Sequence, residues 1–178
     1  PHEYKLIETE EDARKLFDFF ITKQILCLDT ETTSINPIDA ELVGLSFSIE
    51  EGKAFYVAIP NERKKAERIV NIFKPLYEST EILKIGQNIK YDMEVLMNYG
   101  VRLAAPMFDT MIAHYVLQPE QKHNMDTLAE TLLHYQTIHI DELIGPKGKN
   151  QKSMRDLAPS DIYEYAAEDA DITLRLKN

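Results

Sequence analysis

The chain has 178 residues, of which 44% are hydrophobic and 28% charged, so it is long enough for one domain with a core and too apolar for a disordered segment. Its net charge of −10 disfavours a free-standing nucleic-acid-binding protein, because lysine and arginine normally neutralise phosphates. No apolar stretch approaches the ~20 residues that span a bilayer, and the start shows no signal-peptide pattern. The lone Cys27 lies in an apolar run and is expected to be a small core residue of a cytoplasmic, disulfide-free protein. Because the sequence starts at Pro1 and stops inside an apparent helix, we expect residues 1–178 to be one domain excised from a longer chain.

The first third of the chain predicts strands and a single helix. Residues 4–7 predict a short edge strand, and Thr9 predicts the N-cap of a helix over residues 10–21. Three apolar, β-branched and aromatic runs then predict consecutive antiparallel strands, the first of them central, at residues 25–29, 41–49 and 53–59.

The rest of the chain predicts mainly helices. One more short strand is expected at residues 81–85, and a basic, glycine-containing loop at residues 145–152. The helices are expected from Asn61 to about Tyr77, from Asn88 to about Tyr99, after Asp109 through Leu117, over residues 125–134 and from Asp161 to the end. We therefore predict an α/β domain with a mixed central sheet, an antiparallel three-strand unit and flanking helices.

Two carboxylates end the predicted central strand. Asp29 and Glu31 are two residues apart, so on an extended backbone both point to the same face. Like charges that are close and partly desolvated repel, and a hard cation such as Mg²⁺ or Mn²⁺ would remove the cost. The alternative is a pair of solvated acids in a loop.

A second polar pair opens the helix after the next strand. Asn88 and Asp92 are four apart, so they would stack on one helix face at the strand ends where ligands gather in α/β sheets. In the alternative interpretation Asn88 is only an N-cap and Asp92 only a favourable charge in the first helical turn.

The last helix carries a third pair, Tyr165 and Asp169, again four residues apart and flanked by alanines. A tyrosine with an ordinary pKa of about 10 is a poor base but can donate to, and orient, a nucleophilic water. Glu168 and Asp171 are expected to point elsewhere and to be solvated. An amphipathic surface helix is the alternative.

In this order the three clusters resemble the motifs of the 3′→5′ proofreading exonuclease domain of bacterial DNA polymerase I, within the tyrosine subclass of the four-acid exonucleases. The similarity covers nearly the whole chain, and only the ordered set of motifs is specific. The motifs are Asp29-Thr30-Glu31-Thr32, Gly86-Gln87-Asn88-Ile89-Lys90-Tyr91-Asp92, Phe108-Asp109-Thr110-Met111, Gly148-Lys149-Asn150-Gln151 and Tyr165-Ala166-Ala167-Glu168-Asp169-Ala170-Asp171.

This resemblance implies a ribonuclease H-like fold, two divalent metal ions (Mg²⁺ or Mn²⁺) and hydrolysis of single-stranded or frayed DNA from its 3′ end. The implied metal ligands are Asp29, Glu31, Asp92 and Asp169, with Tyr165 aligning the attacking water. The implied substrate contacts are Thr32 at the 3′-hydroxyl, Ile35 at the terminal base, and Gln87, Asn88 and Tyr91 along the phosphates. The implied partner is the polymerase domain of the same parent chain, with the isolated fragment a monomer.

Two departures from the family pattern concern the terminal base. Ile35 replaces the usual leucine, and His139 and Ile140 stand where a stacking aromatic is expected. Two alternatives stay open, namely a ribonuclease D-like exonuclease acting on RNA and a non-catalytic domain that supports a polymerase. Asp109 is expected to be an N-cap instead of a fifth ligand, and the histidines are expected to be ordinary.

Overall fold

A computed structural model describes all residues, 1–178, which form one six-stranded sheet and seven α-helices. The strands are β1 (Glu3–Ile7), β2 (Ile25–Thr32), β3 (Leu42–Glu50), β4 (Lys53–Ala58), β5 (Leu83–Gly86) and β6 (Met107–Asp109). The helices are α1 (Glu10–Phe20), α2 (Arg63–Tyr77), α3 (Ile89–Met97), α4 (Thr110–Leu117), α5 (Met125–Leu133), α6 (Ile140–Ile144) and α7 (Pro159–Lys177), with a 3-10 turn at Met154–Asp156.

The strands lie in the order β1-β4-β3-β2-β5-β6. Strands β2, β3 and β4 pair antiparallel, whereas β1–β4, β2–β5 and β5–β6 are parallel pairs. The predicted mixed sheet is confirmed, with β1 at one edge and β2 at an inner position of the antiparallel unit.

Alternation along β2 divides the domain into two layers. Leu26 and Leu28 enter the main core, a cluster of 25 buried residues that also includes side chains of α1, α2 and α3. The odd-numbered side chains point to the other face, where Cys27 is fully buried against Ile85 and Leu174 of α7. Asp29 and Glu31 share this second face, so the strand delivers both acids beneath α7.

Helix α7 can lie close to β2 and β3 because its facing residues are small. Ala166, Ala167 and Ala170 are completely buried. On β3, Gly44 leaves room for the ring of Tyr56, since a Cβ atom at Gly44 would lie 2.0 Å from Tyr56 Cε2. The absence of a side chain at Gly44 therefore lets Tyr56 fill the layer between the sheet and α7.

The predicted caps are partly confirmed. Thr9 Oγ1 accepts a hydrogen bond from the Asp12 amide at 3.1 Å, and Asp109 Oδ1 accepts one from the Met111 amide at 2.8 Å. The prediction that Asn61 caps α2 is wrong, since the helix begins at Arg63 after Glu62, whose side chain makes no capping bond.

The predicted stacking of Asn88 and Asp92 on one helix face is also wrong. Asn88 has φ 58° and ψ 48°, a left-handed conformation, so α3 begins only at Ile89. The reason is the turn out of β5, whose amides at Asn88 and Ile89 both donate to the Asp109 carboxylate, at 3.2 and 2.9 Å. None of the helices is both long enough and apolar enough to cross a bilayer.

Candidate active site

Three carboxylates meet where β2 passes beneath α7. Ligand oxygens of Asp29, Glu31 and Asp169 all lie within 4.8 Å of one another. Glu31 and Asp169 are buried, each 7% exposed, and Asp29 is half-buried. Two of these acids come from one strand and the third from a helix about 140 residues later, so only the tertiary fold brings them together.

The fourth predicted acid, Asp92, reaches the site from α3 on the opposite side of β2. It is 2% exposed, and its Oδ1 accepts a 2.6 Å hydrogen bond from Thr30 Oγ1. Asp92 is not one of the three acids grouped within 4.8 Å. Burial is the main cause that raises the pKa of Asp92, and the charge of the Asp29 carboxylate raises it further, so the two carboxylates interact electrostatically. Asp92 therefore lies within electrostatic range of Asp29 and Glu31 but outside the group of three acids.

The electrostatics of the cluster fit a bound cation. Burial raises the pKa of Asp29 to about 7 in the metal-free chain. Burial, followed by the charge of Asp29, also raises the pKa values of Glu31 and Asp169. Asp169 Oδ1 is buried without any hydrogen-bond partner. Oxygen-only donors, mutual repulsion and an unsatisfied buried oxygen together match the preference of hard divalent cations for carboxylate ligands.

Tyr165 lies one turn before Asp169 on α7 and is half-buried. Burial and the carboxylate of Asp169 raise the pKa of Tyr165 far above its ordinary value, so the phenol stays protonated at neutral pH. Its hydroxyl can therefore donate to, and orient, a polar group beside the acids but cannot act as a base.

A cleft of about 420 Å³ opens beside the acids, and Glu31 forms part of its wall. Of the predicted substrate residues, the structure brings four to this cleft: Thr32, Ile35, Asn88 and Tyr91. Ile35 is 97% exposed, and two isoleucines of α6 line the same cleft, Ile140 and Ile144. Helix α6 was not among the predicted elements, and it is one turn long and carries no buried side chain.

Tyr91 fixes the turn that carries Ile35. Its hydroxyl lies 2.5 Å from Thr32 Oγ1 and also donates to the Ser34 carbonyl. The exposed Ile35 therefore directly follows a segment that Tyr91 holds in place at Thr32 and Ser34.

The side chain of Gln87 is not part of the cleft wall. Its Nε2 donates to the His123 carbonyl at 2.7 Å, and its Oε1 accepts from Thr110 Oγ1. Gln87 thus joins α4 to the segment before α5, and its contact with a phosphate stays a prediction. His114 and His123 pair through their Nδ1 atoms at 2.7 Å, and neither belongs to the acid group of Asp29, Glu31 and Asp169.

The expectation that Asp171 is solvated is wrong. It is completely buried because β1 and the β3–β4 turn cover that side of α7. Its carboxylate accepts hydrogen bonds from the Tyr4 hydroxyl at 2.7 Å, the Gly52 amide at 2.8 Å and the Arg175 guanidinium at 2.6 Å. Arg175 stands four residues after Asp171, a spacing at which sequence alone could have suggested the pair.

Glu168 is likewise buried, at 3% exposure, contrary to the prediction. Its two oxygens accept from the Tyr135 hydroxyl at 2.6 Å and the Ile138 amide at 2.7 Å. The segment that leads into α6 is therefore fastened to α7 next to Asp169. No local sequence signal marks this contact, because Glu168 and Tyr135 are 33 residues apart.

Comparisons with known proteins agree with this geometry. A family model described as 3′-5′ exonuclease matches residues 4–178. The DNA polymerase I of Pseudomonas aeruginosa is 38% identical over 173 residues, covering 90% of this chain, and that of Borreliella burgdorferi is 34% identical over 178 residues, covering 98%. The chain spans only 19% of the length of each of these relatives.

Solved nucleases share the fold. Trypanosoma brucei RNase D in complex with RNA U12 superimposes with a TM-score of 0.80 at 16% identity, over 99% of this chain and 62% of that one. Brucella melitensis NrnC with bound Mg²⁺ superimposes with a TM-score of 0.68 at 23% identity, over 98% of this chain and 77% of that one. These similarities confirm the predicted ribonuclease H-like fold. The chain therefore belongs to the 3′-5′ exonuclease family of hydrolytic nucleases, and it is similar along its length to a segment of bacterial DNA polymerase I.

Proposed function

We propose that the chain is a metal-dependent exonuclease that removes 5′-mononucleotides from the 3′ end of single-stranded or frayed DNA. The observation that carries the proposal is the buried meeting of Asp29, Glu31 and Asp169 within 4.8 Å, beside a cleft open to solvent. Phosphodiester hydrolysis needs both a site for cations and room for the end of a nucleic-acid strand, and the region at the end of β2 provides both.

Two divalent cations, Mg²⁺ or Mn²⁺, would be held by the four acids. Asp29, Glu31 and Asp169 form the tighter group, and Asp92 with Asp29 would hold the second ion. When bound, such a pair activates a water and stabilises the leaving 3′ oxygen. The orphaned Asp169 Oδ1 supports its assignment as a ligand.

The chain's other residues would position the substrate. Tyr165, protonated at neutral pH, orients the attacking water through its hydroxyl. Glu31 and the Thr32 backbone meet the terminal 3′-hydroxyl at the cleft wall. Ile35 and Ile140 enclose the terminal base by apolar contact in place of aromatic stacking, which is worth about 1–3 kcal/mol per base.

The phosphates next to the scissile bond would run past Asn88 and Tyr91, which line the same cleft. Gln87, whose amide donates to the His123 carbonyl, would contribute indirectly by fixing the backbone next to Asn88. A direct contact between Gln87 and a phosphate would require that this hydrogen bond breaks when substrate binds.

Within a longer parent chain, residues 1–178 would be the proofreading domain, monomeric by itself and covalently joined to a polymerase domain. The support is the length of the DNA polymerase I relatives, of which the chain matches 19%. We place this activity in the cytoplasm, with the DNA that such an enzyme would edit.

The test is digestion of 5′-labelled single-stranded DNA in the presence of Mg²⁺ or Mn²⁺. Successive shortening from the 3′ end and release of 5′-mononucleotides are expected, and Asp29→Asn should abolish both while its circular dichroism is unchanged. Asp18→Asn, on the exposed face of α1, is the matched control and should be fully active. An intact oligonucleotide with the unmodified chain would refute the proposal, and much faster digestion of the matching RNA would favour the ribonuclease D-like alternative.

A further inference from the structure

Residues 145–152, here called the lysine loop, are unusual in this acidic chain. The loop contains three lysines, Lys147, Lys149 and Lys152, and no acidic residue, although the whole chain has a net charge of −10. All three lysines are exposed. The loop is therefore a local concentration of positive charge that neither the metal site nor the core explains.

The lysine loop forms part of the cleft wall beside the acids. Gln151 and Lys152 line the cleft together with Glu31 and Ile35. The loop is closed at its base, because the Lys152 amide donates to the Ile144 carbonyl at 2.9 Å and Gln151 Nε2 donates to the Gly145 carbonyl at 3.0 Å. Lys152 thus lies in the cleft wall, and Lys147 and Lys149 are exposed on the same anchored loop.

These cations have no partner within the chain. Elsewhere, six lysines form ion pairs with acids: Lys5, Lys15, Lys53, Lys65, Lys74 and Lys90. No carboxylate lies within ion-pair distance of Lys147, Lys149 or Lys152. Their charges are therefore available to an external anion.

We propose that the lysine loop binds the backbone phosphates of the single strand on the 5′ side of the terminal nucleotide. This inference rests on the proposed function, because a strand whose 3′ end reaches the acids must leave the cleft across its rim. Lysine contacts to phosphate position a strand without reading its sequence, which suits an enzyme that must accept any 3′ end. The loop would also offset the unfavourable net charge of the chain at the place where the strand passes.

The first experiment measures binding of an oligonucleotide of about 12 thymidines, a length within the usual range of single-strand sites. The loop variant carries Lys147→Gln, Lys149→Gln and Lys152→Gln. The control variant carries Arg14→Gln, Lys23→Gln and Lys64→Gln, which remove the same charge from α1, the segment after it and the start of α2, on the far side of the sheet. All proteins contain Asp29→Asn to prevent hydrolysis.

The salt dependence of the dissociation constant gives the decisive number. For single strands, each phosphate contact makes the slope of log association constant against log salt concentration more negative by about 0.7. Without three lysine contacts, the slope of the loop variant should therefore be shallower by about 2. The control variant should keep the slope of the parent protein. An unchanged slope in the loop variant, or no measurable binding of the oligonucleotide by the parent, would overturn the inference.

A second measurement separates this inference from the proposed function. The p-nitrophenyl ester of thymidine 5′-phosphate offers the terminal nucleotide and the scissile phosphate but no further backbone phosphate on the 5′ side. With Asp29 restored, a variant that carries only Lys147→Gln and Lys149→Gln, outside the cleft wall, should hydrolyse this ester as the unmodified chain does, whereas its kcat/KM on the oligonucleotide should fall about tenfold. If the unmodified chain hydrolyses neither substrate, the proposed function fails, and the salt dependence of binding still decides the role of the lysine loop. Equal losses of activity on both substrates would overturn the inference about the loop but not the proposed function.

Discussion

The hydroxyl of Thr30 donates a 2.6 Å hydrogen bond to Asp92 Oδ1 across the gap between β2 and α3. Thr30 stands between Asp29 and Glu31, which point to the opposite face of the strand. Asp29 and Glu31 therefore present two carboxylates on one face of β2, and Thr30 orients the Asp92 carboxylate on the other face. The hydrogen bond between Thr30 and Asp92 links the two sides of the sheet.

Thr30→Val should reduce nuclease activity about ten- to a hundredfold, the range typical of residues that orient metal ligands. Valine keeps the shape of threonine but leaves Asp92 without its buried donor. The measurement is kcat together with the Mg²⁺ concentration that gives half-maximal activity, which should rise. Thr30→Ser retains a hydroxyl and should remain within a few-fold of the parent; equal loss in both variants would show that packing, not the hydrogen bond, matters.

The stability of the metal-free chain should depend on pH through the acid cluster. Burial raises the pKa of Asp29 from 3.8 to about 7, so between these values the folded chain binds more protons than the unfolded chain. The stabilising effect of protonation is complete at about pH 4 and is lost as the pH rises through about 7.

Divalent cations should reverse this trend, because they favour the charged carboxylates. The increase in Tm caused by Mg²⁺ over EDTA should be small at about pH 5 and larger at about pH 8. Thermal melts of the parent and of Asp29→Asn check this, and the variant should show a weaker pH dependence in EDTA. An increase in Tm that is equal at both pH values would contradict the assignment of the cluster as a metal site.

Gly44→Ala should destabilise the chain by about 1–3 kcal/mol or more, the usual cost of overpacking a core. The added Cβ would lie 2.0 Å from Tyr56 Cε2, which is confined beneath α7. Denaturant unfolding measures the loss. Tyr56→Phe is the control: it removes only the hydroxyl bond to the Val43 carbonyl and should cost about 1 kcal/mol. A neutral Gly44→Ala would show that α7 is free to shift away from the sheet.

Glu168→Ala should raise KM for single-stranded DNA more than it lowers kcat. The change releases Tyr135 and the Ile138 amide, and with them the segment that positions Ile140 at the cleft. Steady-state kinetics on an oligonucleotide gives the two constants. Glu164→Ala, one turn earlier on α7, should leave both unchanged, because the Glu164 side chain is 45% exposed and forms an ion pair only with His2. A loss confined to kcat would place Glu168 with the metal ligands instead of the base-binding cleft.

Sequence reasoning predicted the sheet well because the strands have strong local signals. The apolar run of β2 and the two acids that follow it define the centre of both fold and site. The contact between Asp29 and Asp169 was expected only from the family resemblance, since no local pattern joins residues 140 apart.

The errors share a cause. The burial of Glu168 and Asp171 depends on β1 and the segment before α6, which pack on α7 from distant parts of the chain. Helical spacing shows which side chains share a face but does not show what covers that face. The left-handed Asn88 was missed for a similar reason, because Asp109, 21 residues later, stabilises that turn.

The most direct test of the metal site is anomalous scattering from crystals of the chain soaked in Mn²⁺. Two peaks are expected, the stronger among the carboxylates of Asp29, Glu31 and Asp169 and the other between Asp29 and Asp92. Asp169→Asn should remove or weaken the first peak. An ordered acid cluster with no anomalous peak, or peaks confined to other surface acids, would contradict the assignment of these residues as the metal-binding centre of a nuclease.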